Sequence, residues 1–153
     1  MELNLSIRKA RINDAETIAD FNIAMAKETE GKALEPVVIR AGVDSLFANP
    51  QYGFYVVAEV QNRIAGCLMI TTEWSDWRNG LFWWIQSVYI HPDYRRQGIY
   101  RAMYSFVKEL ARKKSNICGF RLYVEKKNIS AQRTYAALGM AECHYKMFEE
   151  ITE

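Results

Sequence analysis

Residues 88–103 read VYIHPDYRRQGIYRAM. An apolar run breaks at Pro92, two arginines and a glutamine follow, and Gly98 precedes apolar residues at helical spacing: Ile99, Met103, Phe106, Val107 and Leu110. Strand, turn and helix are thus joined within a few residues. A helix leaves its first N–H groups without intrahelical acceptors, and its dipole makes that end partly positive. A glycine there lets an anion approach the backbone without meeting a Cβ. Arg95, Arg96 and Arg101 stand close enough in sequence to add charge-assisted contacts. On spacing alone, an anion site and a plain strand-to-helix turn with solvated arginines fit the stretch equally well.

Working outward, Leu81 to Ile90 extends the strand upstream and is preceded by the turn-like Arg78-Asn79-Gly80. Phe54 to Val60 and Arg63 to Thr72 are β-rich runs joined at Gln61-Asn62, a two-residue hairpin signal. Before them, Leu3 to Lys9 alternates as a strand does. Asp14 is placed to cap a helix carrying Ile18, Phe21 and Met25, which Glu28-Thr29-Glu30-Gly31 ends. Pro36 opens a second helix that groups Ile39, Val43, Leu46 and Phe47 and stops at Asn49-Pro50. Downstream, Cys118 to Glu125 reads as a strand, Ser130 to Leu138 as a short helix ending at Gly139, and Ala141 to Glu149 as a last strand.

The order β-α-α-β-β-β-α-β-α-β predicts an α/β fold, a mixed and mainly antiparallel sheet flanked by helices. The two β-α-β passages after residue 80 call for right-handed crossovers and parallel neighbours. No repeat, low-complexity tract or Gly/Ser linker interrupts the chain, so residues 1–153 are expected to form a single domain.

Half of the 153 residues are hydrophobic and a quarter charged, the balance of an ordinary globule. No stretch approaches the ~20 apolar residues of a membrane span, and MELNLSIRKA has no signal-peptide pattern, so no membrane role and a cytoplasmic location are expected. Two histidines and three cysteines without CxxC spacing argue against a metal site. Cys67, Cys118 and Cys143 lie in apolar stretches and read as buried thiols. Between His91 and Lys114, seven Lys and Arg face two acidic residues, so the net charge of +2 conceals a basic segment on an acidic remainder. That asymmetry suggests an anionic ligand at one place and a cationic one elsewhere. Nucleic acid is a poor fit, because interleaved aromatics are missing and the basic helix has an apolar face.

The opening stretch resembles motif A of the GNAT superfamily of N-acetyltransferases, Q/R-x-x-G-x-G/A after a strand ending in V-x-P-x-x-R. Arg95 matches the first position and Gly98 the first glycine, while Tyr100 stands where the family has Gly or Ala. The resemblance implies that this loop holds the pyrophosphate of acetyl-CoA, with Arg95, Arg96, Gln97, Gly98, Ile99, Tyr100 and Arg101 on the cofactor side. It also implies that the backbone at Val88 and Ile90 pairs with the pantetheine arm. Asn128-Ile129-Ser130-Ala131, Tyr135 and Leu138-Gly139-Met140 resemble the family's closing motif, N-x-x-A-x-x-x-Y-x-x-x-G-F, with Met140 for the aromatic. From the residues alone, Ser130 is an N-cap, Asn128 a turn former and Tyr135 a core aromatic with its hydroxyl at a polar edge. The resemblance places Asn128 beside the cofactor and makes Tyr135 the acid that protonates the leaving thiolate.

The implied activity is transfer of the acetyl group of acetyl-CoA to a primary amine of a small molecule or protein by direct attack, on the GNAT-like acyl-CoA N-acyltransferase fold. An acyl-CoA sensor without catalysis on the same fold is the alternative, and a homodimer is left open. Amine attack needs a neutral nitrogen, and a lysine-like amine with a pKa of ~10.4 is neutral in only about one molecule in a few thousand at pH 7. Glu73 follows an apolar strand, where desolvation would raise its pKa and suit it as the base, although a solvated residue at a strand end fits the stretch equally well. The resemblance puts Glu28 and Glu30, between the first two helices, in the region that lines the acceptor pocket, to recognise a cationic acceptor; Gln86 reads first as a ladder-face residue and second as one that positions the acceptor. A backbone N–H where the strand parts from its neighbour near Ser87 to Tyr89 could bind the oxyanion. Trp74, Trp77, Trp83 and Trp84 read mostly as core, with one or two left to floor the acceptor site.

Overall fold

The computed structural model describes residues 4–152, so Leu3 lies outside the described residues. The chain forms two compact units, the first ending at Leu122 and the second beginning at Tyr123. In the first unit β1 (Leu5–Lys9), α1 (Ala15–Glu30), α2 (Pro36–Ala48), β2 (Gly53–Val60), β3 (Arg63–Ser75), β4 (Gly80–Ile90), α3 (Ile99–Arg112) and β5 (Ile117–Arg121) follow in order. The second unit holds α4 (Ile129–Ala137). The five strands form one sheet in sequence order: β1 to β4 pair antiparallel, and β5 joins β4 in parallel across α3.

Local chemistry sets the element ends. Gln61 and Asn62 both take positive φ, 51° and 64°, the twist that a two-residue turn needs to fold β2 back onto β3. Pro36 occupies the first turn of α2. Gly31, left-handed at φ 63°, donates its N–H to the carbonyls of Ala26 and Lys27 and closes α1. Asp14 stands at the N-cap of α1 but does not cap it. Its carboxylate accepts instead from the Arg11 N–H at 2.8 Å and from the Arg8 guanidinium at 2.7 and 3.1 Å.

Pleating sends alternate residues of each strand to opposite faces. Tyr55 and Val57 of β2 pack under α1 and α2 with Ile18, Phe21, Val43 and Leu46. On the other face, Phe54 meets Trp83 at 5.4 Å, Trp83 meets Phe120 at 6.4 Å, and Phe120 meets Tyr104 of α3 at 5.9 Å. The buried stripe Ile99, Met103, Val107 and Ala111 turns α3 onto the sheet. No helix of the described residues is long and apolar enough to cross a membrane.

Three expectations need correction. Residues 141–149 keep strand-like alternation but pair with no strand among the described residues, and their side chains are exposed. Among the described residues the sheet ends at β5, so no second parallel neighbour is formed. Only Cys67 is a buried thiol, since Cys118 on the outermost strand and Cys143 in the irregular segment are exposed. Trp83 is core, whereas Trp74 and Trp77, at the outer end of the β3–β4 hairpin, are 58% and 88% exposed.

Candidate active site

The regular ladder between β3 and β4 breaks at one place. Met69 lies opposite Gln86 and Cys67 opposite Tyr89, so Ser87 and Val88 together face Leu68. This is a β-bulge, and Ser87 carries it at φ 52°, an unusual conformation for a residue with a side chain. The extra residue reverses the alternation. Trp83 points toward Phe120 and α3, but Tyr89, six residues on, packs its ring 5.0 Å from Phe21 of α1. On the other edge of β4, pairing with β5 ends at Trp84 and Arg121. Beyond it, among the described residues, the stretch from Ile85 to Ile90 is laddered on the β3 side alone. Gln86, Val88 and Ile90 therefore line a released margin of the sheet, all three half-buried.

From that margin the chain passes through a short 3-10 turn, Pro92–Tyr94, which the Asp93 N–H closes by donating to His91 Nδ1 at 3.2 Å. Arg96 at φ 63° and Gly98 at φ 77° are both left-handed and swing the backbone into α3. No side chain caps that helix end, and its first turn contains no acid. A Cβ built on Gly98 would meet no atom within 4 Å beyond its chain neighbours, so the space beside this residue is open, and no side chain takes up the N–H groups that a helix start leaves unpaired. Arg96, Gln97 and Arg101 are exposed around this end, and the Gln97 amide donates to the Asp93 carbonyl at 3.4 Å. Ile99 is buried in the core. The Tyr100 ring stacks along α3 onto Tyr104, centroids 6.1 Å apart, which gives the bulk at this position packing of its own.

Arg95 sits differently from its neighbours. Its Nε donates to the Ile90 carbonyl at 2.8 Å, and its two terminal nitrogens grip the Glu28 carboxylate at 2.5 and 2.9 Å. The pair raises the Arg95 pKa and lowers that of Glu28 through the hydrogen bonds between them. Two residues expected on opposite sides of the reaction, one at the phosphate and one at the acceptor, are thus bound to each other. Glu30 lies exposed at the last position of α1.

Glu73 also differs from the expectation. Desolvation was to raise its pKa, yet its carboxylate accepts from Trp84 Nε1 at 3.0 Å and from Arg121 at 2.7 Å. The hydrogen bond from Trp84 foremost, with that from Arg121 and its positive charge, lowers the Glu73 pKa against the opposing effect of burial. That direction is opposite to the raised pKa that would suit a base. Arg121 lies 3.7 Å over the Phe82 ring, so the cluster sits at the point where β5 leaves β4. No sequence signal pointed to Arg121, because its partner is distant in sequence and meets it only through the sheet register.

In the second unit, Asn128 rather than Ser130 is the N-cap of α4, its Oδ1 accepting from the Ala131 N–H at 3.1 Å. Tyr135 is half-buried, and burial raises its pKa above that of a free phenol. Among the described residues no group of three or more His, Cys, Asp or Glu could hold a metal ion.

Comparison with known proteins gives the family and the fold. Residues 19–140 match the acetyltransferase (GNAT) family. A structure described as "a possible acetyltransferase from Clostridium difficile 630" is 48% identical, with a TM-score of 0.91 over 99% of each chain. Two more distant structures share the fold. One is an aminoglycoside N-acetyltransferase in complex with CoA, 12% identical with a TM-score of 0.76 over 99% of this chain and 97% of that one. The other, a ribosomal-protein-alanine N-acetyltransferase from Brucella melitensis biovar Abortus 2308, is 14% identical with a TM-score of 0.77 over 97% and 99%. No curated protein matches the chain significantly.

Proposed function

This chain belongs to the GNAT acetyltransferase family, and from that premise we propose that it is an N-acetyltransferase moving the acetyl group of acetyl-CoA onto a primary amine of a small molecule or a protein. The observation that carries this reading is the uncapped end of α3, where Gly98 leaves the backbone open. That end suits a diphosphate: N–H groups and a helix dipole face it, and Arg96 and Arg101 supply charge nearby. When bound, acetyl-CoA supplies an acyl group already activated as a thioester.

The residues of the chain bind, orient and move protons. The released margin of β4, with Val88 and Ile90, offers backbone groups to an extended arm, as a strand would. An N–H turned out of the ladder at the Ser87–Val88 bulge donates to the acyl oxygen as negative charge develops there. Tyr135 takes the acid role on the resemblance of its motif; a phenol of ordinary pKa, ~10, is already protonated near neutral pH, and burial raises that of Tyr135 further. Glu73, charged and held by Trp84 and Arg121, anchors that corner of the sheet instead of taking the amine proton. Free amine is then the reactive species, so kcat/KM climbs about tenfold per pH unit below the pKa of the acceptor.

The test mixes purified protein with acetyl-CoA and a panel of amines and follows thiol release. Turnover with at least one amine is expected. Saturable binding of acetyl-CoA without turnover on any amine would make the chain a sensor, and no binding at all would end the acyl-CoA reading.

A further inference from the structure

Phe21 and Glu28 lie seven residues apart on α1, two helical turns, and therefore on one face. Each meets a residue at the junction of β4 and the following turn. The Phe21 ring packs on Tyr89, and the Glu28 carboxylate grips Arg95 with both oxygens. Arg95 in turn holds the Ile90 carbonyl and lies 5.5 Å from the Tyr89 ring. All three nitrogens of its guanidinium group are engaged by these protein groups. Next to it stands Arg96, left-handed and without a glycine's freedom. A residue persists in that conformation only where its surroundings over-determine it. The helix fixes the far side of the turn, and the clamp on Arg95 fixes the near side.

We propose that Glu28 is a positioning residue for the turn before α3: by holding Arg95 it sets the shape in which the first amides of that helix receive a diphosphate. This rests on the acetyl-CoA reading for its ligand but not for its geometry. The clamp also ties the end of α1, where the α1–α2 connection begins, to the anion-binding turn. Arg95 shapes the turn, and the charge that attracts phosphate comes from Arg96 and Arg101.

Three roles for Glu28 predict opposite outcomes. As a bare negative charge near an anion site, its loss would tighten diphosphate binding. As a contact to a cationic acceptor, its loss would raise the KM for the amine alone. As a positioning residue, its loss weakens diphosphate binding although an unfavourable charge has been removed. Calorimetry with acetyl-CoA on the wild type, Glu28→Gln, Arg95→Gln and the double variant separates them. Each single change is expected to weaken binding about fivefold, and the double variant to be no weaker than either single, the signature of one shared interaction. Amide exchange on the ligand-free protein gives a second reading, with residues 96–100 exchanging about tenfold faster in Glu28→Gln while β2 amides keep their rates.

Unchanged or tighter binding with unchanged exchange overturns the proposal, as does additivity in the double variant. A rise in amine KM alone overturns it too. If the wild type binds no acyl-CoA, the functional reading falls, and the exchange experiment still decides whether Glu28 shapes the turn.

Discussion

Replacing Gly98 tests where the diphosphate sits, because the fold and the ligand make different demands there. Gly98 holds φ 77° and ψ 15°, a left-handed conformation that alanine adopts at a cost of about 1 kcal/mol and asparagine more readily. Its missing Cβ faces open space, so a side chain meets no clash in the ligand-free protein. Gly98→Asn should therefore cost well under ~1 kcal/mol, and Gly98→Ala should lower the melting temperature by about 2–4 °C for a chain of this size. Binding should respond differently. If phosphate oxygens occupy the open space, a new side chain displaces them from the N–H groups of α3. Hydrogen bonds to charged groups contribute about 1.5–3 kcal/mol each. Losing two reduces affinity by roughly a hundredfold or more. Thermal melts without ligand and calorimetry with acetyl-CoA measure the two quantities on the same samples. An asparagine variant that melts like the wild type and binds acetyl-CoA equally well would place the diphosphate elsewhere and remove the basis of the proposed function.

Other consequences are more local. Tyr135→Phe should slow thiol release by at least about tenfold, the lower part of what a general acid contributes, while leaving the Kd for acetyl-CoA within about twofold; unchanged turnover would return Tyr135 to a packing role. Asp14 is buried, which by itself raises its pKa, but the hydrogen bonds from Arg8 and the Arg11 N–H outweigh this and lower it. A carboxylate depressed in the folded state contributes stability that is complete above its unfolded pKa, ~3.9, and is lost as pH falls through the folded value. Melting temperatures recorded from pH 6 down to pH 2 should accordingly fall less steeply in Asp14→Asn, from a neutral-pH starting point lower by about 4–8 °C, the equivalent of about 2 kcal/mol; parallel curves for the two proteins would refute this. Cys67 is buried and its thiol pushed up to about 12, whereas Cys118 and Cys143 are exposed. A thiol reagent should label two of the three cysteines in the native protein and the third only on unfolding; three fast-reacting thiols would contradict the packing of β3.

What was legible in the sequence was whatever a few neighbouring residues decide. Gln61-Asn62 favours one tight turn, Pro36 opens a helix, and the apolar spacing after Gly98 commits that stretch to helix, so these elements were found where expected. The strand expected at Ala141 to Glu149 failed for the complementary reason. Alternation says which face of a strand is apolar, but a strand also needs a neighbour to exchange hydrogen bonds with, and none of the described residues provides one. Cys118 shows the same limit at one residue: an apolar neighbourhood in sequence does not reveal that its strand is the last in the sheet.

The candidate site divides along that line as well. Backbone features were readable, because the turn before α3 is built from consecutive residues: Gly98, the uncapped helix start and the arginines beside it are a local arrangement. Charged side chains were not, because their roles depend on partners brought in by the register. Glu73 was expected to be a desolvated base, but a strand that starts after α3 delivers Arg121 to its carboxylate. Glu28 was read only against an acceptor, whereas the phase of α1 turns it onto Arg95, a partner that no local pattern announces. In each case a carboxylate that in isolation would be a candidate for chemistry is neutralised by an arginine far away in sequence. An acid or base in such a site is therefore better sought among groups that the sheet leaves without an opposite charge, where desolvation can act on the pKa unopposed.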